Sequence, residues 1–143
     1  MTLNIDYAPT LLEAARVPVP RDMQGRSFLA ALRGKTPSDW RPSIYYRYYH
    51  DPGDHNTAAH YGVRTATHKL IHYWKQDQWE LFDLVKDPME MSNLYGQTGQ
   101  EKLTAALKAE LTRVKAEARD DDRFANDDLP NGVDGTLAKL RGK

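Results

Sequence analysis

Ala8, Leu11, Leu12 and Ala15 fall on one stripe at helical spacing. Asp6 stands just ahead, where a carboxylate can accept from the free N–H groups of a first helical turn. Pro9 lies inside that turn, where a missing N–H costs little. The pattern predicts a helix from Asp6 to Arg16 that ends before Val17–Pro20, a stretch the prolines hold extended. Phe28 to Arg33 reads as a second, short helix, opened by Ser27 and closed by Gly34. From Ser43 the period changes. Ser43 to His50 is dense in β-favouring aromatics, with Ile44, Tyr46 and Tyr48 on one face and Tyr45, Arg47 and Tyr49 on the other. A turn begins at Asp51-Pro-Gly-Asp54, and strands are predicted over His60 to Thr65, His68 to Lys75 and Trp79 to Leu84. Their short links make the sheet an antiparallel meander of about four strands. Gly62 inside a strand signals a bulge or a close backbone approach, and Lys86-Asp-Pro88 ends the sheet. Gln100 to Ala118 then repeats Leu103, Leu107, Leu111, Val114 and Ala118 every three or four residues, a long helix whose apolar face lies on the sheet.

The expected class is therefore α+β: a small antiparallel β-sheet packed against a long C-terminal α-helix and preceded by a short helical N-terminal segment. The boundaries are 1–40 for the helical segment, 41–119 for sheet plus helix, and 120–143 for an acidic, loosely ordered tail with one short amphipathic run, Thr136 to Leu140. No internal repeat is present.

The 143 residues carry 20 basic and 20 acidic side chains. A zero net charge argues against a protein built to grip nucleic acid, which needs a surplus of Lys and Arg. There are no cysteines, which excludes disulfides, thiolate zinc sites and a cysteine nucleophile and leaves the compartment open. No apolar run approaches the roughly 18–20 residues of a membrane span. Met1 to Asp6 has neither the basic start nor the apolar stretch of a signal peptide.

Three stretches together carry a family resemblance. Asn4-Ile-Asp-Tyr-Ala-Pro-Thr-Leu-Leu12, with Val17–Pro20 and Gln24-Gly-Arg-Ser-Phe28, resembles the segment that closes the large domain of arylsulfatase-type sulfatases. Tyr61-Gly-Val-Arg-Thr65 and His68-Lys-Leu-Ile71 resemble paired strands of their C-terminal subdomain. Trp79-Glu-Leu-Phe-Asp-Leu84, Lys86-Asp-Pro88, Glu90 and Asn93-Leu94 resemble the strand and turn that follow. The likeness covers roughly residues 3–118 in order and spacing. It implies the C-terminal subdomain of an alkaline-phosphatase-like α/β fold in an enzyme that hydrolyses sulfate esters, commonly periplasmic or secreted. The chemistry the family implies uses a formylglycine made from Cys or Ser in a C/S-x-P-x-R motif and a divalent cation, usually calcium. None of this chain's serines begins such a run, and the family's metal ligands lie upstream of Asn4. The resemblance thus implies a chain with no catalytic residue, no metal ligand and no cofactor of its own. Its partner would be an N-terminal catalytic sulfatase domain, and it would be inactive alone.

The histidines are the candidate site residues. In the carbohydrate sulfatases this sequence resembles, a histidine near His60 can contact a sugar hydroxyl, a task suited to imidazole with its one donor and one acceptor. The plainer alternative is a strand-end histidine bonded to backbone or water. His55, on the preceding loop, is a second substrate-binding candidate. His50, His55 and His60 share no face, and His68 and His72 share a strand face with Leu70 between them; neither spacing dictates a metal site. Arg64 suits an ion pair with Asp83 or Glu80, and Lys69 reads as solvated. Asp120 to Asp122, with Asp127 and Asp128, lack the ligand spacing of a calcium loop and read as a solvated tail.

Two functional classes stay open: a substrate-pocket-lining sulfatase portion, with sulfated carbohydrate as ligand, and a stand-alone glycan- or anion-binding module using the aromatic and basic sheet face. A single-stranded nucleic-acid platform fits the neutral charge poorly. The first reading also implies an apolar surface around Leu11 and Leu12 and self-association through the N-terminal helix.

Overall fold

The computed structural model describes residues 1–51 and 56–125, which fall in two compact units divided between Pro42 and Ser43. His55, Asp127, Asp128 and the Thr136 to Leu140 run lie outside the described residues. Among the described residues no helix is long and apolar enough to cross a membrane.

In the first unit a 3-10 turn, Asn4–Asp6, leads into α1, Tyr7–Ala14. The expected cap is absent. Asp6 is fully buried, and its carboxylate accepts instead from the Leu3 N–H at 2.7 Å and the Arg26 N–H at 2.9 Å while gripping the Arg41 guanidinium with both oxygens. Burial raises its pKa, but the Arg41 and backbone donors outweigh that and hold it below the ordinary value. Thr10 continues the tie, donating to the Asp6 carbonyl at 2.6 Å and accepting from the Phe28 N–H at 3.1 Å. Pro9 and Thr10 are therefore the buried positions of α1, not the expected Ala8, Leu11, Leu12 and Ala15 stripe; Leu11 is 68% exposed. Arg16, with φ 59°, terminates α1 ahead of the prolines. The second helix, α2, is only Leu29–Leu32; Ser27 Oγ accepts from the Leu29 N–H and Gly34 at φ 78° closes it, as expected.

The second unit is the predicted meander. Strands β1 (Ser43–Tyr48), β2 (His60–Thr65), β3 (His68–Tyr73) and β4 (Gln78–Asp83) pair antiparallel in chain order, and α3 spans Glu101–Glu117. β1 and β3 end two residues earlier than the alternation suggested, because Tyr49, His50, Trp74 and Lys75 have left the ladder. Val63, Leu70 and Leu81 are cross-strand neighbours with no exposed surface, and Leu107, Leu111 and Val114 of α3 close over them. Tyr45, Tyr61, Trp79, Leu94, Tyr95 and Leu103 pack around this core.

Polar ties fasten the helix to the first strand. Ser43 Oγ donates to Glu110, which is also bound by Arg113 at 2.6 Å. After α3, Arg119 at φ 56° turns the chain back onto the sheet. Asp120 accepts from the Tyr45 hydroxyl and from Arg47 Nη1 at 2.7 Å, Asp122 accepts from Arg47 at 2.6 Å and from Lys115 at 2.5 Å, and Trp74 Nε1 donates to the Ala125 carbonyl at 3.3 Å. The expectation of a solvated acidic run is thereby corrected for Asp120 and Asp122, while Asp121 stays exposed beside Arg123. Asp120 and Asp122 are bound to the cations that the sheet and α3 place opposite them.

The hydrogen bonds from Arg113 and Ser43 lower the Glu110 carboxyl from its ordinary 4.5 to about 2. A carboxyl depressed on folding stabilises the native state above its unfolded pKa and loses that contribution as pH falls toward the folded value. Stability should therefore decline from about pH 4.5 to pH 2. Urea titrations at stepped pH should show this decline, with a shallower slope for Glu110→Gln.

Candidate functional site

Strand alternation sends His60, Gly62 and Arg64 to the sheet face opposite α3. β1 contributes Tyr46 and Tyr48 there, β3 contributes Lys69, Ile71 and Tyr73, and β4 contributes Glu80 and Phe82. Three tyrosine rings surround His60: Tyr46 edge-on with centroids 5.9 Å apart, Tyr48 stacked at 5.8 Å and Tyr73 tilted at 5.5 Å. His60 Nδ1 lies 2.8 Å from the Ala58 carbonyl. A carbonyl only accepts, so Nδ1 carries the proton, and in the neutral ring Nε2 is then an acceptor suited to a hydroxyl. The backbone bond of the plainer alternative is thus present, and it is also what sets the tautomer that the sugar-contact reading needs.

Gly62 makes this arrangement fit. A Cβ there would stand 2.5 Å from the Leu70 carbonyl oxygen and 2.6 Å from the Tyr46 hydroxyl, so the strand glycine marks a close approach. The Tyr46 hydroxyl is buried without a hydrogen-bond partner. Burial, with Tyr73, Glu90 and Glu80 nearby, pushes its pKa well above the usual tyrosine value. Tyr73 donates to Glu80 at 2.9 Å and is pushed up to about 12 by burial and that carboxylate. Lys69 is not free in solvent: it pairs with Glu90 at 2.5 Å. Arg64 makes no ion pair with Asp83 or Glu80. It sits opposite Lys69 in the β2–β3 register, Asp83 pairs with Lys86 at 3.7 Å, and Glu80 takes the Tyr73 hydroxyl.

The other described histidines do not converge. His68 bonds Thr67 Oγ1 at 2.9 Å, and His50 lies against the Tyr48 ring. His72 faces α3, with Nδ1 2.9 Å from the Tyr61 hydroxyl, Nε2 3.1 Å from Asp77 and its ring stacked on Trp79 at 3.9 Å. Among the described residues no group of three or more His, Asp or Glu side chains could hold a metal ion.

Sequence reasoning missed a cationic box on the α3 face. Arg47 lies 4.5 Å from the centroid of Tyr49, 4.4 Å from Trp74 and 5.3 Å from Tyr61, with its side chain 4% exposed. An arginine alone among the four tyrosines of the run Tyr45 to Tyr49 was the available signal, because such a cation requires aromatic and anionic neighbours.

A four-stranded meander under one long helix, preceded by a short helical unit, is the C-terminal region of the alkaline-phosphatase-like sulfatases. The chain belongs to the family described as N-sulphoglucosamine sulphohydrolase, C-terminal, whose model matches residues 1–117. It is 42% identical over 125 residues to the N-acetylglucosamine-6-O-sulfatase of Bacteroides thetaiotaomicron, covering 85% of this chain and 22% of that protein. It is 30% identical over 120 residues to the Delta 4,5-hexuronate-2-O-sulfatase of the same organism, covering 84% and 25%. A solved structure of a protein in complex with its substrate D-glucosamine-2-N,6-O-disulfate superposes with a TM-score of 0.79 at 40% identity, over 85% of this chain and 25% of that one. The chain therefore spans about a quarter of the length of these relatives.

Replacing Gly62 by Ala drives a methyl against backbone and the Tyr46 ring. We expect a loss of about 1–3 kcal/mol in chemical denaturation, the usual cost of overpacking, and a shift of the His60 ring signals in NMR. An unchanged midpoint would show that the approach is looser than the geometry gives.

Proposed function

We propose that this chain completes a sulfuric ester hydrolase acting on a sulfated amino sugar, that its His60 face lines the substrate pocket, and that it is not competent alone. The match along residues 1–117, joined to 42% identity with an N-acetylglucosamine-6-O-sulfatase, carries the reading. The chemistry supports the division. The chain has no cysteine, and none of Ser27, Ser38, Ser43 or Ser92 begins an S-x-P-x-R run from which formylglycine could form. Its described carboxylates do not fit calcium either. Asp120 and Asp122 are bound to Arg47 and Lys115, and Asp121 to Arg123. In this proposal both groups belong to a larger N-terminal catalytic domain, and these residues supply shape and hydrogen bonding. His60, oriented through the Ala58 carbonyl and caged by tyrosines, is the group to contact a sugar hydroxyl; His55 is the second candidate.

The 143-residue chain by itself should show no turnover of an aryl sulfate with or without calcium, and sustained hydrolysis would end the proposal. With the catalytic domain present on the same protein, His60→Ala should lower kcat/KM for a 6-sulfated glucosamine about 10-fold, the worth of one hydrogen bond at a positioned hydroxyl. A plain aryl sulfate should be turned over as before. Equal losses on both substrates would mean a structural role.

Exposed Ile5, Tyr7, Leu11 and Leu32 leave apolar surface on the first unit. Without a catalytic domain, such surface favours association with a second copy. Light scattering after size exclusion should give a mass above the 16.4 kDa monomer at high protein concentration, with Leu11→Lys restoring the monomer.

A further inference from the structure

Among the described residues Lys108 has no carboxylate partner, unlike Lys115 further along the same helix. Positions three and four residues to either side on α3 are Thr104, Ala105, Leu111 and Thr112, so no helical ion pair is open to it. Its ammonium donates to the Tyr95 hydroxyl at 2.8 Å and lies 4.0 Å from the centroid of Trp79 and 5.0 Å from that of Tyr95. Ring quadrupoles attract a cation but carry no net charge. Among the described residues Lys108 makes no salt bridge, whereas Lys115, two turns on, binds Asp122 at 2.5 Å and Arg47 binds Asp120 and Asp122. These two carboxylates serve Arg47 and Lys115, and neither is paired with Lys108.

The Lys108 charge borders a cleft of about 440 Å³ between the sheet and α3, lined by Tyr61, Trp79, Lys108, Leu111, Lys115 and Asp120 among others. The volume exceeds what a bare ion fills and falls in the range of small-molecule sites. Charge and aromatic surface lie side by side along it, with Lys108 over Trp79 and Lys115 4.6 Å from the centroid of Tyr61. Lysine ammoniums are point-charge donors to oxyanions, and the half-buried Tyr61 and Trp79 add partly exposed aromatic surface beside them. We propose that this cleft binds a compact oxyanion, sulfate or phosphate, carried on a sugar-sized polar body, with Lys108 as the residue that neutralises it. The site lies on the α3 side of the sheet and does not rest on the His60 reading, because alternation places His60 on the opposite face.

Calorimetric titrations of the protein with glucose 6-sulfate, glucose 6-phosphate, glucose and inorganic sulfate test this, with the indole N–H signals followed in parallel by NMR. The two charged sugars should bind with dissociation constants near or below about 1 mM at low salt and weaken as salt rises. Both should move the Trp79 signal, and glucose should not bind. Lys108→Met keeps the aliphatic stem and removes the charge. It should weaken binding at least 10-fold while circular dichroism stays unchanged. Lys108→Arg should restore binding, and Lys102→Met should bind as the parent does. No heat from either charged sugar, or undiminished binding by Lys108→Met, overturns the site. Equal affinity for free sulfate and glucose 6-sulfate overturns the sugar-sized ligand in favour of a bare ion. A charged sugar that shifts the His60 ring signals and leaves the Trp79 indole unmoved sits on the other face, which overturns the proposal while leaving the pocket-lining reading intact.

Discussion

The burial of Val63, Leu70 and Leu81 beneath Leu107, Leu111 and Val114 is the constraint on which the second unit depends. Three side chains from adjacent strands meet in one row because the β2–β3 and β3–β4 registers place them opposite each other. α3 closes over them with residues spaced three and four apart. Side chains alternate along a strand, so burying Val63 commits Tyr61 to the helix side and sends His60, Gly62 and Arg64 to the other. A one-residue slip would exchange the two sets. The apolar row therefore specifies where the polar chemistry of both faces can be.

Polar ties then hold what the core is too small to hold. In the second unit Arg47 is sealed between aromatic rings and answered by Asp120 and Asp122, which draws the chain after α3 back to the sheet. In the first unit Asp6 plays the corresponding part, gathering Leu3, Arg26 and Arg41 around one carboxylate. A buried pair of this kind is modest as a net source of stability, because desolvation opposes the Coulomb attraction. Removing one partner is costly, since it strands the other charge. Such ties specify position more than they add free energy.

Membership of the sulfatase C-terminal family and these two faces fit together. One face presents a histidine with a set tautomer inside a tyrosine cage on strands whose order is rigidly prescribed. The other presents lysines and aromatics along a helix edge.

Local pattern alone determined the order of elements. Alternation in Ser43 to Tyr48 and His60 to Thr65, the proline at Lys86-Asp-Pro88 and the Leu103-to-Val114 stripe each depend on near neighbours and were legible from the residues. The close approach at Gly62 and the short α2 closed by Gly34 were legible for the same reason. Family membership was legible too, through motifs whose order and spacing survive in a single chain. Tertiary structure decided the partners. Asp6 abandons the first turn for Arg26 and Arg41, which lie 20 and 35 residues on. Lys69 finds Glu90 rather than water, and Asp120 finds Arg47 across 73 residues. Leu11 stays exposed because α1 packs through Pro9 and Thr10 instead. Periodicity reports which face of an element is apolar. Which side chains meet across long stretches of chain depends on register, helix direction and turn geometry together, and those arise only when the whole unit closes.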